Sequence, residues 1–304
     1  MTEHDATTIS LSLDGPRGVV RATVDRVGAS LNSADVGGEA VVPEWEPASP
    51  RPFSAGVTLA PWPNRIRDGK WQWQGKELQL EISEPGRQTA LHGLVSDTSW
   101  DVVEHDESSV TLSTTLDPAP GYPFTLEMAV TYRLHGDGVD CTMGIRNVGD
   151  ARAPVAIGFH PFLCLGDRAV RSLTLDSPVA KVVAVDERLL PIGLEDSSHT
   201  RHNPAVGVRL HDAEFDTGFQ LEGSGEHVTR LSAADGASVE LWQSSELGWI
   251  QFFLTDDFPG LRGSHSALAV EPMSAPADAF NSGTDVWQLE PDEEAQASWG
   301  IRLG

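Results

Sequence analysis

The clearest pattern along the chain is an alternation of apolar and polar residues over positions 124–134. A period of two is typical of a β-strand with one buried face and one wetter face. The turn-rich segment 135–138 follows, and the alternation then resumes over residues 139–145. We therefore predict a long antiparallel hairpin whose inward-facing residues include Cys141 and Met143.

A second hairpin is predicted over residues 70–80, where four apolar side chains alternate around a Gln-Gly turn. No stretch shows a helical period of 3.6 over three or more turns, and 29 glycines and 20 prolines punctuate the chain. These patterns predict an all-β protein built as a large antiparallel β-sandwich. Shorter strands are predicted over residues 8–13, 18–24, 109–115, 238–242, 249–255 and 298–303.

No internal repeat, low-complexity tract or linker divides the chain, so we predict a single domain over residues 1–304. The length alone allows one large domain or two small ones. The proline-rich segment 43–52 is short, and a rigid loop over the sandwich explains it better than a domain boundary does.

The charge of the chain bears on its partners. It has 45 acidic and 21 basic residues, which give a formal net charge of -24. Such a field disfavours nucleic acid, anionic membrane and phosphorylated ligands unless a local basic cluster overrides it. A neutral small molecule fits better, although a requirement for solubility alone also explains the charge.

The overall composition is that of an ordinary globular protein, with 39% hydrophobic and 22% charged residues and a mean hydropathy of -0.22. No apolar run approaches the roughly 18 residues of a membrane span. The first six residues lack the basic start and apolar middle of a secretory signal. We therefore expect a cytoplasmic protein without a membrane partner, either a monomer or a homodimer.

The cysteines and most histidines do not indicate a metal site. Cys141 and Cys164 lie in apolar, strand-like sequence without C-x-x-C spacing, which predicts buried free thiols. Four other residues have a spacing that is compatible with zinc binding, but a solvated polar loop is the better interpretation of their segment. These residues are His199, His202, His211 and Asp212. The sequence also lacks H-E-x-x-H, EF-hand, P-loop, G-x-G-x-x-G and G-x-S-x-G motifs, so we expect no metal and no cofactor.

Two ionisable residues, His160 and Glu271, each end an apolar run and are each followed by proline. The residue before proline is driven towards extended backbone, so both runs are interpreted as strands that end at the ionisable side chain. Apolar surroundings raise the pKa of a carboxyl group and lower that of an imidazole, which suits general acid and base catalysis. Taken singly, a residue of this kind is more often a hydrogen-bonded structural residue.

Further candidates come from three other segments. The stiff loop 60–66 presents Asn64 and Arg65 beside an indole, a set that can bind a polar ring or form a surface salt bridge. His92 precedes a glycine and either holds a hydroxyl or bonds to a carbonyl in the core. Asp216 lies between phenylalanines, where it either binds sugar hydroxyls or caps a turn. Trp249 is a candidate stacking platform, as is Trp242, although a tryptophan in a β core is usually core.

Taken in order, these segments resemble the aldose 1-epimerase (galactose mutarotase) family. The resemblance runs from about Leu59 to the C-terminus, and each piece alone is weak. The matching pieces are Pro63-Asn64-Arg65-Ile66, Leu91-His92-Gly93, Gly158-Phe159-His160-Pro161-Phe162, Asp216 with Phe219, and Val270-Glu271-Pro272 leading into Pro276-Ala277-Asp278-Ala279-Phe280-Asn281.

The resemblance implies a supersandwich that interconverts the α and β anomers of free aldohexoses without a cofactor. It makes Glu271 the general base at the C1 hydroxyl and His160 the general acid at the ring oxygen. It makes Arg65, His92 and Asp216 similar to the substrate-binding residues of the family, with Asn64 and Trp249 beside them. The sequence departs from the family at Pro161-Phe162, where many members have Pro-Tyr, and in the loop before Arg65, which leaves the preferred sugar open.

Three alternatives follow from the same residues. A protein of this fold could bind a carbohydrate without turning it over, although binding alone does not require both His160 and Glu271. A mutarotase for a phosphorylated or other acidic sugar would need a cationic pocket, for which Arg65 with Arg67 is the candidate pair. A glycoside hydrolase or lyase would need two carboxylates, and Glu271 with Asp216 is the pair to nominate.

Overall fold

The computed structural model describes residues 7–45, 50–260 and 263–304, and the side chains of residues 263–264 are not considered. The first half of the chain contains strands β1 (Thr8–Gly15), β2 (Gly18–Asp25), β3 (Ser30–Val36), β4 (Glu39–Val42), β5 (Thr58–Leu59), β6 (Arg65–Arg67), β7 (Lys70–Trp73), β8 (Lys76–Gln79), β9 (Thr89–Leu91), β10 (Asp101–His105), β11 (Ser109–Leu116), β12 (Leu126–His135), β13 (Gly138–Asn147) and β14 (Ala153–Val155). The second half contains β15 (Gly158–Phe159), β16 (Phe162–Leu163), β17 (Thr174–Asp176), β18 (Val179–Val185), β19 (Pro191–Asp196), β20 (Val208–Arg209), β21 (Asp216–Leu221), β22 (His227–Ser232), β23 (Ser238–Gln243), β24 (Trp249–Gly260), β25 (Gly263–Met273), β26 (Trp287–Leu289) and β27 (Glu294–Leu303).

Helical structure in the described residues is limited to single turns. The one α-helix is α1 (Ala279–Ser282), and no helix in this part of the chain is long and apolar enough to cross a membrane. The 3₁₀ turns cover Pro52–Ser54, Val170–Ser172, Ser197–His199, Pro204–Val206 and Leu210–Asp212.

The strands form antiparallel sheets, as the alternating patterns predict. A nine-stranded sheet has the order β10-β11-β12-β13-β27-β23-β22-β17-β20, and an eight-stranded sheet has the order β19-β18-β21-β24-β25-β15-β5 with β16 also paired to β25. A four-stranded sheet, β1-β2-β3-β4, and the pairs β14-β26, β6-β9 and β7-β8 complete the described architecture. The predicted all-β sandwich is confirmed.

Both predicted hairpins are present. Strand β12 pairs with β13 along its whole length, with Tyr132 opposite Cys141, and β7 pairs with β8 around Gln74 and Gly75. The first hairpin is shorter than predicted at one end, because Phe124 precedes the strand that begins at Leu126. The six shorter predicted strands correspond to β1, β2, β11, β23, β24 and β27.

The main core lies between the sheets. A single cluster of buried apolar residues includes side chains from Leu11 near the N-terminus to Ile301 near the C-terminus. Phe159 of the eight-stranded sheet packs against Trp299 of the nine-stranded sheet, with their ring centroids 5.3 Å apart. The interior therefore joins residues from both ends of the described chain in one packed layer.

The two cysteines are free and buried, as predicted. Burial raises the pKa of the Cys141 thiol above its usual value and that of the Cys164 thiol to about 12. A thiol must ionise to act as a nucleophile or a metal ligand, so both cysteines are packing residues at neutral pH. Of the proline-rich segment 43–52, residues 46–49 lie outside the described residues, as do residues 1–6.

Strand β25 corrects one prediction. It does not end at Glu271 but continues through Pro272 to Met273. The backbone N–H groups of Val270 and Ser274 both donate to the segment 157–161. Pro272 lies two residues from both Val270 and Ser274, so its backbone nitrogen also faces the segment 157–161. It does so at the gap between β15 and β16, where that segment is not paired with β25. The missing N–H of proline therefore removes no ladder bond from the β24 side.

We expect Gly138→Ala to destabilise the fold by about 3 kcal/mol, because a Cβ on Gly138 would lie 1.8 Å from the carbonyl oxygen of Ile301 on β27. Gly193→Ala is the matched control, since a Cβ there meets nothing within 4 Å and its expected effect is within about 0.5 kcal/mol. Denaturant unfolding of both variants checks this, and equal midpoints would contradict the described pairing of β13 with β27.

Candidate active site

The candidate site lies on one face of the eight-stranded sheet. In β24 the side chains of Ile250 and Phe252 point into the main core, and the alternate positions Trp249 and Gln251 point to the opposite face. The same alternation in β25 sends Val270 into the core and Glu271 to the face shared with Gln251, its cross-strand partner. The sheet thus separates the packed core from a layer of buried polar side chains.

Strand register brings the two catalytic candidates together. Gly158 pairs with Met273, and Phe162 pairs with Ala269. His160 lies midway along this antiparallel segment and is therefore opposite Glu271. The imidazole Nε2 of His160 is 3.4 Å from Oε1 of Glu271.

Both members of this pair are buried, with 5% of His160 and 2% of Glu271 exposed. Nδ1 of His160 and Oε2 of Glu271 have no hydrogen-bond partner within the described part of the chain. An unpaired buried polar atom costs about 1–3 kcal/mol, so such atoms are rare unless a ligand serves them. Seven other buried polar atoms of the described residues are also unpaired, but only here do two of them belong to ionisable side chains in contact, where one polar ligand can bond to both.

The burial of the pair decides where its proton resides. Desolvation lowers the pKa of the His160 imidazole to about 4. Desolvation also raises the pKa of Glu271 well above its usual range, with a further rise from the negative charge of Asp216 and an opposing effect of Arg65. Burial therefore favours a protonated carboxyl group beside a neutral imidazole over the corresponding ion pair, and the pair has one proton to exchange.

His92 is held next to this pair. It follows β9, and its ring lies 5.4 Å from that of His160, edge to face. Nδ1 of His92 accepts a hydrogen bond of 3.3 Å from the backbone N–H of Asn64. Burial and the neighbouring His160 and Arg65 lower the pKa of His92 well below its usual value. The ring is therefore neutral with its proton on Nε2, where it can donate to a ligand oxygen.

The same hydrogen bond bears on metal binding. His92, His160 and Glu271 form a group whose potential ligand atoms all lie within 4.8 Å of one another. A metal needs an unprotonated ring nitrogen, and a ligating histidine usually donates from its other nitrogen. In His92 one nitrogen accepts from Asn64 and the other carries the proton, so this ring is arranged as a hydrogen-bond donor rather than as a metal ligand.

Asn64 and Arg65 come from the loop that leads into β6. Asn64 has a left-handed backbone with φ of 56°, a conformation that asparagine tolerates better than most residues, and its Oδ1 accepts from the backbone N–H of Arg65. The guanidinium of Arg65 donates through Nε and Nη2 to both oxygens of Glu84, at 2.9 and 3.1 Å. Such a bidentate pair fixes the plane of the guanidinium.

Asp216 begins β21, two residues from Gly218, which pairs with Gln251. Oδ1 of Asp216 accepts a hydrogen bond of 2.7 Å from Nε2 of Gln251. Trp249 is buried, and its Nε1 donates to Asp285 at 2.8 Å. A small cleft with about 340 Å³ of space, open solvent included, joins these elements; it is lined by Asn64, Arg65, Val183, Val185, Leu189, Asp216, Gly218, Trp249, Gln251, Met273, Pro276 and Ala277.

Four of the residues predicted from the sequence line this cleft, namely Asn64, Arg65, Asp216 and Trp249, and His160, Glu271 and His92 form the adjoining buried group. Trp242 does not join them, since it lies on β23 of the other sheet and donates to Asp140. The four zinc candidates are also not gathered into a metal-ligand group within the described residues. His199 and His211 are exposed on separate 3₁₀ turns.

Gln251 and Glu84 were not predicted from the sequence. Gln251 holds Asp216 in place, and Glu84 holds Arg65. A signal for Gln251 existed, because it is the one polar residue in the apolar run 249–254 and falls on the same strand face as Trp249. Glu84 had no such signal. It lies in a polar turn and reaches Arg65 through the pairing of β6 with β9.

A family model described as aldose 1-epimerase matches residues 10–302. The chain belongs to the aldose 1-epimerase family. A relative in Escherichia coli (strain K12), the uncharacterized protein YihR, is 33% identical over 284 residues, which cover 93% of this chain and 89% of the relative.

Solved structures share the fold of this family member. The GalM/aldose epimerase homologue from C. elegans has a TM-score of 0.84 and 19% identity, with 98% of this chain and 99% of that chain covered. The galactose 1-epimerase from Lactobacillus acidophilus NCFM has a TM-score of 0.79 and 18% identity, with 98% of each chain covered. At such identities the likeness extends to the fold alone.

Burial of Glu271 predicts a pH-dependent gain in stability for Glu271→Gln. The folded-state pKa of Glu271 lies above its unfolded value, so the folded state keeps a proton that the unfolded state releases. The resulting loss of folding stability is absent below the pKa that Glu271 has in the unfolded state. It grows as pH rises and becomes constant above the pKa that Glu271 has in the folded state. Each unit of pKa difference corresponds to about 1.4 kcal/mol.

Glu271→Gln cannot ionise, so we expect its melting temperature to exceed that of the natural protein more at pH 8 than at pH 4. Glu222→Gln is the control, because Glu222 is exposed. Thermal unfolding across this pH range makes the comparison. A difference that stays constant with pH, or that narrows towards pH 8, would contradict the buried and neutral state of Glu271.

Proposed function

We propose that this protein is a mutarotase, which interconverts the α and β anomers of a free aldohexose by general acid and base catalysis. The observation that carries the proposal is the buried contact of 3.4 Å between His160 and Glu271, the two positions that the family resemblance assigns to acid and base. Membership of the aldose 1-epimerase family supports the reaction class.

The chemistry of a cyclic hemiacetal matches what this pair can supply. Ring opening removes a proton from the C1 hydroxyl and delivers one to the ring oxygen, after which rotation about the C1–C2 bond presents the other face of the aldehyde. Closure reverses both transfers. One base and one acid are sufficient, and each is typically worth about 10² to 10⁴ in rate.

Because burial favours a protonated Glu271 and a neutral His160, the scheme needs one further proton transfer. Glu271 acts as the base only when ionised, and His160 acts as the acid only when protonated. Transfer of the resting proton from Glu271 to His160 across their contact generates this form without exchange with solvent. The bound sugar favours it, because the C1 hydroxyl donates to the carboxylate and the ring oxygen accepts from the imidazolium.

The remaining side chains serve the sugar. His92 donates from Nε2 beside the reacting pair, and Asp216, fixed by Gln251, accepts from distal hydroxyls. Trp249 offers a largely buried apolar edge with Met273. A mixture of apolar wall and a few fixed polar groups is typical of small-molecule sites.

The alternatives receive less support. Glycoside hydrolysis would pair Glu271 with Asp216, but it would give no role to the buried imidazole of His160 that contacts Glu271. A cationic pocket for an acidic sugar is disfavoured because Arg65 is paired with Glu84, and Arg67 with Asp186 and Asp278. A sugar-binding protein without activity would leave the buried acid and base without a role.

The proposal predicts that purified protein accelerates anomer exchange of neutral aldohexoses, measured by polarimetry and by exchange NMR on glucose, galactose and related sugars. We expect Glu271→Gln and His160→Gln each to lower kcat/KM by about 10² to 10⁴, because each removes one proton-transfer group.

Glu222→Gln and His105→Gln are the matched controls, since both original side chains are exposed. They should retain full activity. Calorimetric titration separates the silent alternative, in which a sugar binds but its anomers do not exchange faster. Normal activity of Glu271→Gln would overturn the mechanism, and no acceleration by the natural protein with any free aldose would overturn the function.

A further inference from the structure

Arg65 is the only lysine or arginine among the described residues that line the cleft. It is 8% exposed. Its Nε and Nη2 are taken by Glu84, and its Nη1 makes no hydrogen bond within the described part of the protein. The one basic side chain that lines the cleft is thus a guanidinium that is already paired with a carboxylate.

Glu84 is itself held rigidly. Its backbone pairs with that of Thr89 across a tight turn, and the hydroxyl of Thr89 donates to Oε2 at 2.6 Å. Arg87 lies 3.4 Å from Oε1. Burial works to raise the pKa of Glu84, but the hydrogen bonds from Arg65 and Thr89 outweigh it, so the pKa lies below its usual value. Glu84 is therefore negatively charged at neutral pH.

The charges around the cleft do not favour an anion. Glu84 offsets the charge of Arg65, and its second neighbour Arg87 does not line the cleft. Asp216 adds a negative charge to the lining. Without Glu84, the guanidinium would present an uncompensated positive charge and a second donor edge to the cleft. Such an edge matches carboxylate and phosphate groups well.

We propose that Glu84 is a specificity-determining residue that neutralises Arg65 and so makes the site select uncharged sugars over anionic ones. This inference rests on the mutarotase function proposed above and extends it to the charge of the substrate. Glu84 does not touch the reacting atoms. It acts through Arg65, as a positioning and charge-balancing residue.

The test compares a neutral aldohexose with its anionic counterparts, glucose against glucuronic acid and glucose 6-phosphate, by exchange NMR. We expect Glu84→Gln to raise the ratio of kcat/KM for the anionic to the neutral sugar by about tenfold or more, the lower end of what a hydrogen bond to a charged group supplies. The gain should shrink with added salt, since it is electrostatic.

Three variants separate charge from shape. Glu77→Gln removes an exposed carboxylate that is 4.0 Å from Lys70, and it should leave the ratio unchanged. Thr89→Val removes a hydrogen bond to Glu84 but not its charge, and it should also leave the ratio unchanged. Arg65→Gln removes the positive charge from the cleft, leaves Glu84 paired with Arg87 alone and should lower the ratio, which provides a second measurement if Glu84→Gln does not fold.

The pH profile gives an independent readout. The charged and titratable groups around Glu271 are His160, His92, Asp216 and Arg65. Glu84→Gln leaves all of them in place and unmasks the charge of Arg65, which lowers the pKa of Glu271. In the proposed scheme the active pair holds one proton, so the fall of kcat/KM that follows loss of this proton as pH rises should move to lower pH.

Outcomes against the inference differ from those against the function. An unchanged ratio in Glu84→Gln, or an equal loss with both sugars and no shift in pH, would leave Glu84 a structural residue and overturn the inference. Failure of the natural protein to exchange the anomers of any sugar would overturn the mutarotase function. In that case NMR titration with the same sugars would still measure the preference for charge.

Discussion

The candidate site depends on the contact between an imidazole and a carboxyl group that the fold keeps away from water. Charged forms of both groups are penalised by burial, so His160 loses and Glu271 keeps the proton that they share. In water the order is reversed, because a carboxyl group loses its proton at about pH 4.3 and an imidazole keeps its proton up to about pH 6.5. Formation of this pair costs the desolvation of two polar groups, and a ligand that offers both a hydrogen-bond donor and an acceptor can relieve that cost.

The sheet makes such a pair possible because its two faces have different surroundings. One face is continuous with the main core and contains Ile250, Phe252 and Val270. The other face carries Gln251 and Glu271 in register. Strand β25 must stay rigid for the contact with His160 to persist, and the core face supplies that rigidity through packing.

Around the pair, each polar side chain is fixed by a second one. Gln251 holds Asp216, the backbone of Asn64 sets the tautomer of His92, and Glu84 orients Arg65. Gln251 and Asn64 line the cleft and Glu84 does not, and together these partners decide which groups donate, which accept and how much charge faces a ligand. The proposed role of Glu84 is one case of this arrangement, in which a carboxylate behind the site controls the charge in front of it.

Much of the protein follows from local sequence. Period-two alternation predicts the β12–β13 hairpin, and glycine and proline punctuation predicts an all-β chain, because these patterns reflect the geometry of one or two strands. His160 and Glu271 stand out as ionisable residues in apolar runs for the same local reason. Tertiary structure decided that strand register sets them 3.4 Å apart, that β25 continues past Pro272, and that Glu84 reaches Arg65. These facts depend on which strands become neighbours, and neighbours distant in sequence leave no period in the chain from which they could be read.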